Sequence, residues 1–170
     1  MTALTTERLC LRQFSLEDAE FMFRLLNEPS FLQYIGDKGV RSLEDARSYI
    51  LDGPLASYEK LGFGLWRVEN RASGVSMGMC GLLKREILEY FDIGYAFLPE
   101  FWSQGYALEA AAAVLSYARD TLGLERVAAI TQVDNESSIR LLKKMGFTFE
   151  GMIRLSEGAP EIKLFALDFS

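Results

Sequence analysis

The chain has 170 residues, 49% of them hydrophobic, enough for one compact domain (residues 1–170) with an ample core. Its net charge of −6 argues against a nucleic-acid-binding surface and mildly favours a cationic second substrate such as an amine. There is no histidine, which excludes Ser–His and Cys–His nucleophile pairs and removes the commonest metal ligand, so no metal is expected.

Cys10 and Cys80, the two cysteines, fall in strand-like runs and read as small buried thiols of a reducing cytoplasm. No signal-peptide pattern occurs, nor any apolar run near the ~18 residues of a membrane helix, so a cytoplasmic protein without a membrane partner is expected. Residues 7–14 alternate as a first strand. Ser15-Leu-Glu-Asp18 then forms a capping-box-like start to a helix running to about Asn27, with Pro29 just beyond. Residues 28–41, with Pro29, Gly36 and Gly39, read as a long functional loop. Ser42-Leu-Glu-Asp45 opens a helix toward residue 52. Residues 63–70 and 75–84 read as a hairpin turning at 71–74. A strand at 90–98, a helix at 105–122 ended by Gly123, and a strand at 126–133 follow. A short helix at 135–145 ended by Gly146 and strands near 147–154 and 161–169 complete the chain. Leu108, Ala111, Ala112, Leu115, Ala118 and Leu122 give the longer helix one apolar face for a sheet. Strands 90–98 and 126–133 should be parallel across a right-handed crossover, with hairpins on both sides. The fold class is therefore α+β or α/β, with a mixed sheet and a central strand–loop–helix–strand unit.

The stretch 98–110, Leu-Pro-Glu-Phe-Trp-Ser-Gln-Gly-Tyr-Ala-Leu-Glu-Ala, carries the most chemistry. A helix opening on Gly105 presents unpartnered N–H groups and the positive end of the macrodipole, a site for an anion such as a pyrophosphate. Gly105 and Ala107 let a phosphate approach the main chain. On strand 90–98, Phe91, Ile93, Tyr95 and Phe97 form a core face, whereas Asp92, Gly94, Ala96 and Leu98 form a small-residue face with room for a ligand. Asp92 reads either as an ordinary carboxylate on an exposed strand or as a general base. Asn135 suits an N-cap whose amide also touches a ligand. Ser138 is either a solvated hydroxyl or a group lining the same cleft as residues 103–107.

These pieces resemble the GCN5-related N-acetyltransferases (GNAT), and within them the branch of ribosomal-protein N-terminal acetyltransferases. The resemblance runs through Thr6-Glu-Arg-Leu-Cys-Leu-Arg12, Asp92-Ile-Gly-Tyr95, Trp102-Ser-Gln-Gly-Tyr-Ala107 with Glu109-Ala110, Asn135-x-x-Ser138, Gly146-Phe147 and Glu150-Gly151 to Arg154. Two departures stand out. Trp102 occupies the first place of the cofactor signature, and Leu142 stands where many members carry an acid tyrosine. The segment Leu155–Pro160 is also short.

The resemblance implies transfer of acetyl from acetyl-CoA directly to a primary amine, on a small molecule or a protein N-terminus. Phe97 and Leu98 would bond the pantetheine arm; Ser103, Gln104, Gly105, Tyr106 and Ala107 would hold the pyrophosphate; and Asn135 would also contact the cofactor. Lys143 and Arg140 read either as adenosine-phosphate contacts or as a solvated helix face. Asp92 would be the base through a water, with Ser138 a donor toward the thiolate. Glu28, Tyr34, Asp37 and Glu157 are either recognition groups for a cationic acceptor or solvated loop residues. The family contains many homodimers. Two rivals remain at this level: an acyl-CoA-binding module without turnover, and a dinucleotide oxidoreductase, which the missing three-glycine fingerprint disfavours.

Overall fold

A computed structural model describes residues 2–169, which build one eight-stranded sheet with helices on both faces. In chain order the elements begin with β1 (Thr2–Thr5) and β2 (Leu9–Arg12), then α1 (Ala19–Leu26), α2 (Pro29–Tyr34), α3 (Leu43–Ile50) and α4 (Ala56–Leu61). There follow β3 (Leu65–Asn70), β4 (Ser76–Leu83), β5 (Asp92–Phe97), α5 (Tyr106–Asp120), β6 (Arg126–Thr131), α6 (Glu136–Lys144), β7 (Thr148–Ile153) and β8 (Ile162–Asp168). The strand order is β1-β2-β3-β4-β5-β6-β8-β7, antiparallel throughout except between β5 and β6. The expected mixed, mostly antiparallel α+β architecture is what forms.

Four local expectations change. The chain opens with the additional strand β1, which has little periodicity to announce it in four residues. The segment 28–41 is not one loop: Pro29 begins α2 at its first helical position, where a missing N–H costs nothing. The helix opened by Ser42 does not stop near 52. It passes through a π-helical segment at Leu51–Leu55 that contains Pro54 and continues as α4, the wider turn absorbing the lost proline donor. Finally, both faces of β5 are covered. Ile93 and Phe97 join the core under α5, with Phe91 and Tyr95 partly buried against it. Leu98 and Ala96 pack into a second core beneath α1 and α3. That packing removes Leu98 from the expected small-residue face and leaves Asp92, Gly94 and Ala96 lining the ligand room beside the strand's edge.

Ser15 and Asp18 do form the expected capping box, now opening a short 3-10 turn ahead of α1. No helix among the described residues is long and apolar enough to cross a membrane.

Candidate active site

The site begins where two parallel strands part. β5 and β6 are paired only at Asp92 and Ala128 among the described residues, with Ala128 N–H donating to Phe91 C=O at 2.9 Å. Beyond that point the strands diverge around a cleft of about 1230 Å³. On the other side of β5, Leu98 N–H donates to Met77 C=O at 2.9 Å, in an unbroken antiparallel register with β4. Bonding direction alternates along an antiparallel strand, so Ile93, Tyr95 and Phe97 turn their main-chain groups toward the cleft. Leu98 does not: its N–H belongs to the β4 ladder and its side chain is buried. The Phe97 carbonyl accepts the Trp102 indole N–H at 2.8 Å, which leaves the Phe97 N–H for a ligand.

At the cleft's end the chain turns through Ser103 (φ 62°) and Gly105 (φ 83°) into α5. The left-handed backbone at Gly105 favours glycine, and no side chain caps the first turn of α5. A concave set of main-chain donors at the positive end of a 15-residue helix results. A strap from the chain's beginning holds this loop. Arg8 Nη1 donates to Gln104 C=O at 3.0 Å, Arg8 Nε to Glu109 at 2.7 Å, and Thr6 Oγ1 to Glu109 at 2.5 Å. The Arg8 guanidinium also covers the Tyr106 ring at 4.3 Å. Glu109, acidic and in the first turn of α5, is thereby neutralised and cannot compete with an incoming anion. Sequence reading missed this strap, because its partners lie about a hundred residues apart.

Asp92 stands at the fork of the two strands, 1% exposed, with both carboxylate oxygens 3.2 Å from Arg85 Nε. Burial pushes its carboxyl up to about 6, against the pull of the Arg85 charge. A carboxylate with that affinity is ionised at neutral pH yet still basic enough to take a proton. Across the cleft, Ser138 Oγ meets the Tyr95 hydroxyl at 2.6 Å. Burial raises the Tyr95 phenol to about 12, the Ser138 bond opposing it, so it stays protonated. Asn135 accepts the Ser138 N–H at 3.3 Å as the N-cap of α6, which fixes Ser138 on the cleft wall. Tyr95 was expected only as core. Its hydroxyl, at the end of a partly buried ring, is the group that alternation along a strand cannot reveal.

The remaining sequence candidates divide. Ser103, Gly105, Tyr106, Ala107 and Tyr34 line the cleft. The Gln104 side chain instead donates to Glu100 C=O at 3.0 Å. Lys143 is exposed and off the cleft wall, whereas Arg140 and Lys144, one turn apart, lie on it. Asp37 is off the wall too: it pairs with Arg41 at 2.5 Å, and that hydrogen bond holds its carboxyl down at about 2. Glu28 lines the cleft but pairs with Arg24 at 3.7 Å, and Glu157 does not reach it. Leu142, at the place of the family's tyrosine, is 1% exposed and packs in the core.

The acetyltransferase (GNAT) domain model matches residues 8–148. The uncharacterized N-acetyltransferase YoaA of Bacillus subtilis is 38% identical over 152 residues, 89% of this chain and 85% of that protein. The crystal structure of a GNAT-family acetyltransferase from Bacillus anthracis superposes with a TM-score of 0.81 at 26% identity, covering 99% of this chain and 98% of that one. The fold is also that of the Salmonella typhimurium acetyltransferase that modifies the N-terminal serine of ribosomal protein L7/L12, with a TM-score of 0.81, 18% identity and 97% of each chain covered. By family model and relatives alike, the chain belongs to the GNAT acetyltransferases and is an acyltransferase.

Proposed function

We propose that this protein transfers the acetyl group of acetyl-CoA to a primary amine, on a small molecule or a protein N-terminus, within one ternary complex. The observation that carries the reading is the fork between β5 and β6: free main-chain groups along one edge, an anion-binding loop at one end and a buried carboxylate at the other. Main-chain donors of residues 103–107 hold the diphosphate, and Arg140 and Lys144 supply positive charge on the α6 wall. The Phe97 N–H bonds the amide-bearing arm, and N–H groups facing the cleft from β5 stabilise charge growing on the thioester oxygen. Bound acetyl-CoA supplies the activated acyl carbon.

Asp92, through a water, removes the proton from an amine whose own pKa is ~10. The nitrogen lone pair forms the new N–C bond and the C–S pair departs with sulfur. The second proton, lost by the nitrogen as the amide forms, is relayed through the Ser138 hydroxyl, backed by Tyr95, to that sulfur, so Ser138 ends protonated and amine and thioester become amide and thiol. Arg85 positions Asp92 and limits the rise in its proton affinity. Tyr34 forms part of the acceptor's wall.

The test is calorimetry with acetyl-CoA followed by a thiol-release screen on small amines and N-terminal peptides. Micromolar binding and amine-dependent release are expected. No heat with millimolar coenzyme A removes the reading.

A further inference from the structure

The far wall of the cleft, opposite the loop at 103–107, has an unbalanced charge. Lys38, Arg85 and Asp92 line it, among apolar side chains such as Leu83 and Leu155. Glu28 is paired with Arg24, and Asp92 with Arg85. Lys38 has no carboxylate within ion-pair distance among the described residues. Arg85 meets Asp92 through Nε alone, which leaves both terminal amino groups without a protein acceptor among those residues. The two cations act on each other: desolvation, then the Arg85 charge, lowers the Lys38 ammonium's proton affinity. Tyr34 and Tyr49 line the same wall, and their hydroxyls hold no partner among the described residues. Two cations on this wall with unfilled donors share a single carboxylate, Asp92, and an acceptor can bring the second counter-charge.

We propose that the acceptor is an amine carrying a carboxylate one or two carbons from its nitrogen, the carboxylate held by Lys38 and the terminal amino groups of Arg85. This rests on the acetyl-transfer reading above and reverses the expectation of a cationic acceptor recognised by Glu28, Tyr34, Asp37 and Glu157. The short separation follows from Arg85 itself, since one guanidinium reaches both Asp92, which faces the amine, and the proposed carboxylate. Apolar lining from Leu83 and Leu155 suits an acceptor with an aliphatic or aromatic body. Such chemistry occurs in a free amino acid or in a chain that begins with an acidic residue.

Thiol release is measured with acetyl-CoA for leucine against leucinamide, and for peptides led by aspartate against the same peptides led by asparagine, with spermidine as the cationic control. At least one carboxylate member is expected to exceed its amide by about tenfold in kcat/KM, and the pair that does so identifies the source. Lys38→Gln, at an exposed position, is expected to erase most of that preference through KM while leaving the amide's KM unchanged. Turnover with equal rates for acid and amide, or with spermidine fastest, overturns this proposal and leaves acetyl transfer standing. If nothing turns over, calorimetry on the coenzyme A-saturated protein decides: carboxylate members binding more tightly than amides support the proposal. Equal or absent heats overturn it.

Discussion

Asp92 is held between two opposed forces. Burial favours its neutral form and Arg85 its charged form, and burial prevails, since the carboxyl is pushed up to about 6. An unfolded aspartate titrates near ~3.9, so ionising Asp92 in the folded protein costs stability, on the order of 3 kcal/mol for a two-unit rise. The cost is complete above pH ~6 and vanishes below pH ~4, because there Asp92 holds its proton in the folded and the unfolded state alike. Asp92→Asn should therefore lower kcat by about 10²–10³ without lowering Tm, and flatten the acidic limb that falls below pH ~6 in wild type. Parallel kcat–pH profiles and thermal melts check this; an unchanged profile removes Asp92 as the base. Ser138→Ala and Tyr95→Phe should each cost about tenfold in kcat, and the double variant little more, because the two hydroxyls act as one donor. Additive losses in a double-mutant cycle would separate them. The setting of Asp92 was half legible in the sequence, as a carboxylate beside small residues. Arg85 and the Tyr95 hydroxyl were not, because a side chain's partner across a sheet leaves no mark on local spacing.

Among the elements, α5 and its entry loop are the part most nearly readable in advance. A strand, a glycine able to take positive φ and a long amphipathic helix specify this geometry locally. What holds the loop is non-local: Arg8 and Thr6, just ahead of β2, bind Glu109 and the Gln104 carbonyl. Arg8→Ala should raise KM for acetyl-CoA about tenfold with kcat little changed, since it frees a carboxylate beside the anion site. Steady-state kinetics together with Tm tests it; a fall in Tm with KM unchanged would make the strap merely structural. On α6 the 3.6-residue repeat divides the two cations named from the sequence: Arg140, with Lys144 one turn on, lies on the cleft wall, and Lys143 is exposed off it.

Considered entire, the molecule joins two cores on either side of one sheet, and a buried charge cluster ties the first turn to the strands. Asp18, 5% exposed, accepts from Arg12 at 2.8 Å, Arg67 at 2.9 Å and the Ser15 N–H at 2.8 Å. Burial raises its proton affinity, but the Arg12 and Ser15 bonds and the two arginine charges outweigh it and leave the carboxyl below its usual value. This contribution is present above the unfolded pKa and is lost as pH falls through the lower folded value. Asp18→Asn should destabilise the protein by about 3 kcal/mol at neutral pH and weaken its loss of stability in acid, measured as urea midpoints between pH 3 and 8. Residue types and their local order settled the architecture, the family and the glycine-led turn into α5, because helix periodicity, strand alternation and a glycine's φ are properties of neighbours in the chain. Folding settled the fork between β5 and β6, the proton affinity of Asp92, the Arg8 strap and the cations on the cleft wall. Those depend on burial and on charges that meet only when distant segments pack, and no spacing within the chain encodes such distances.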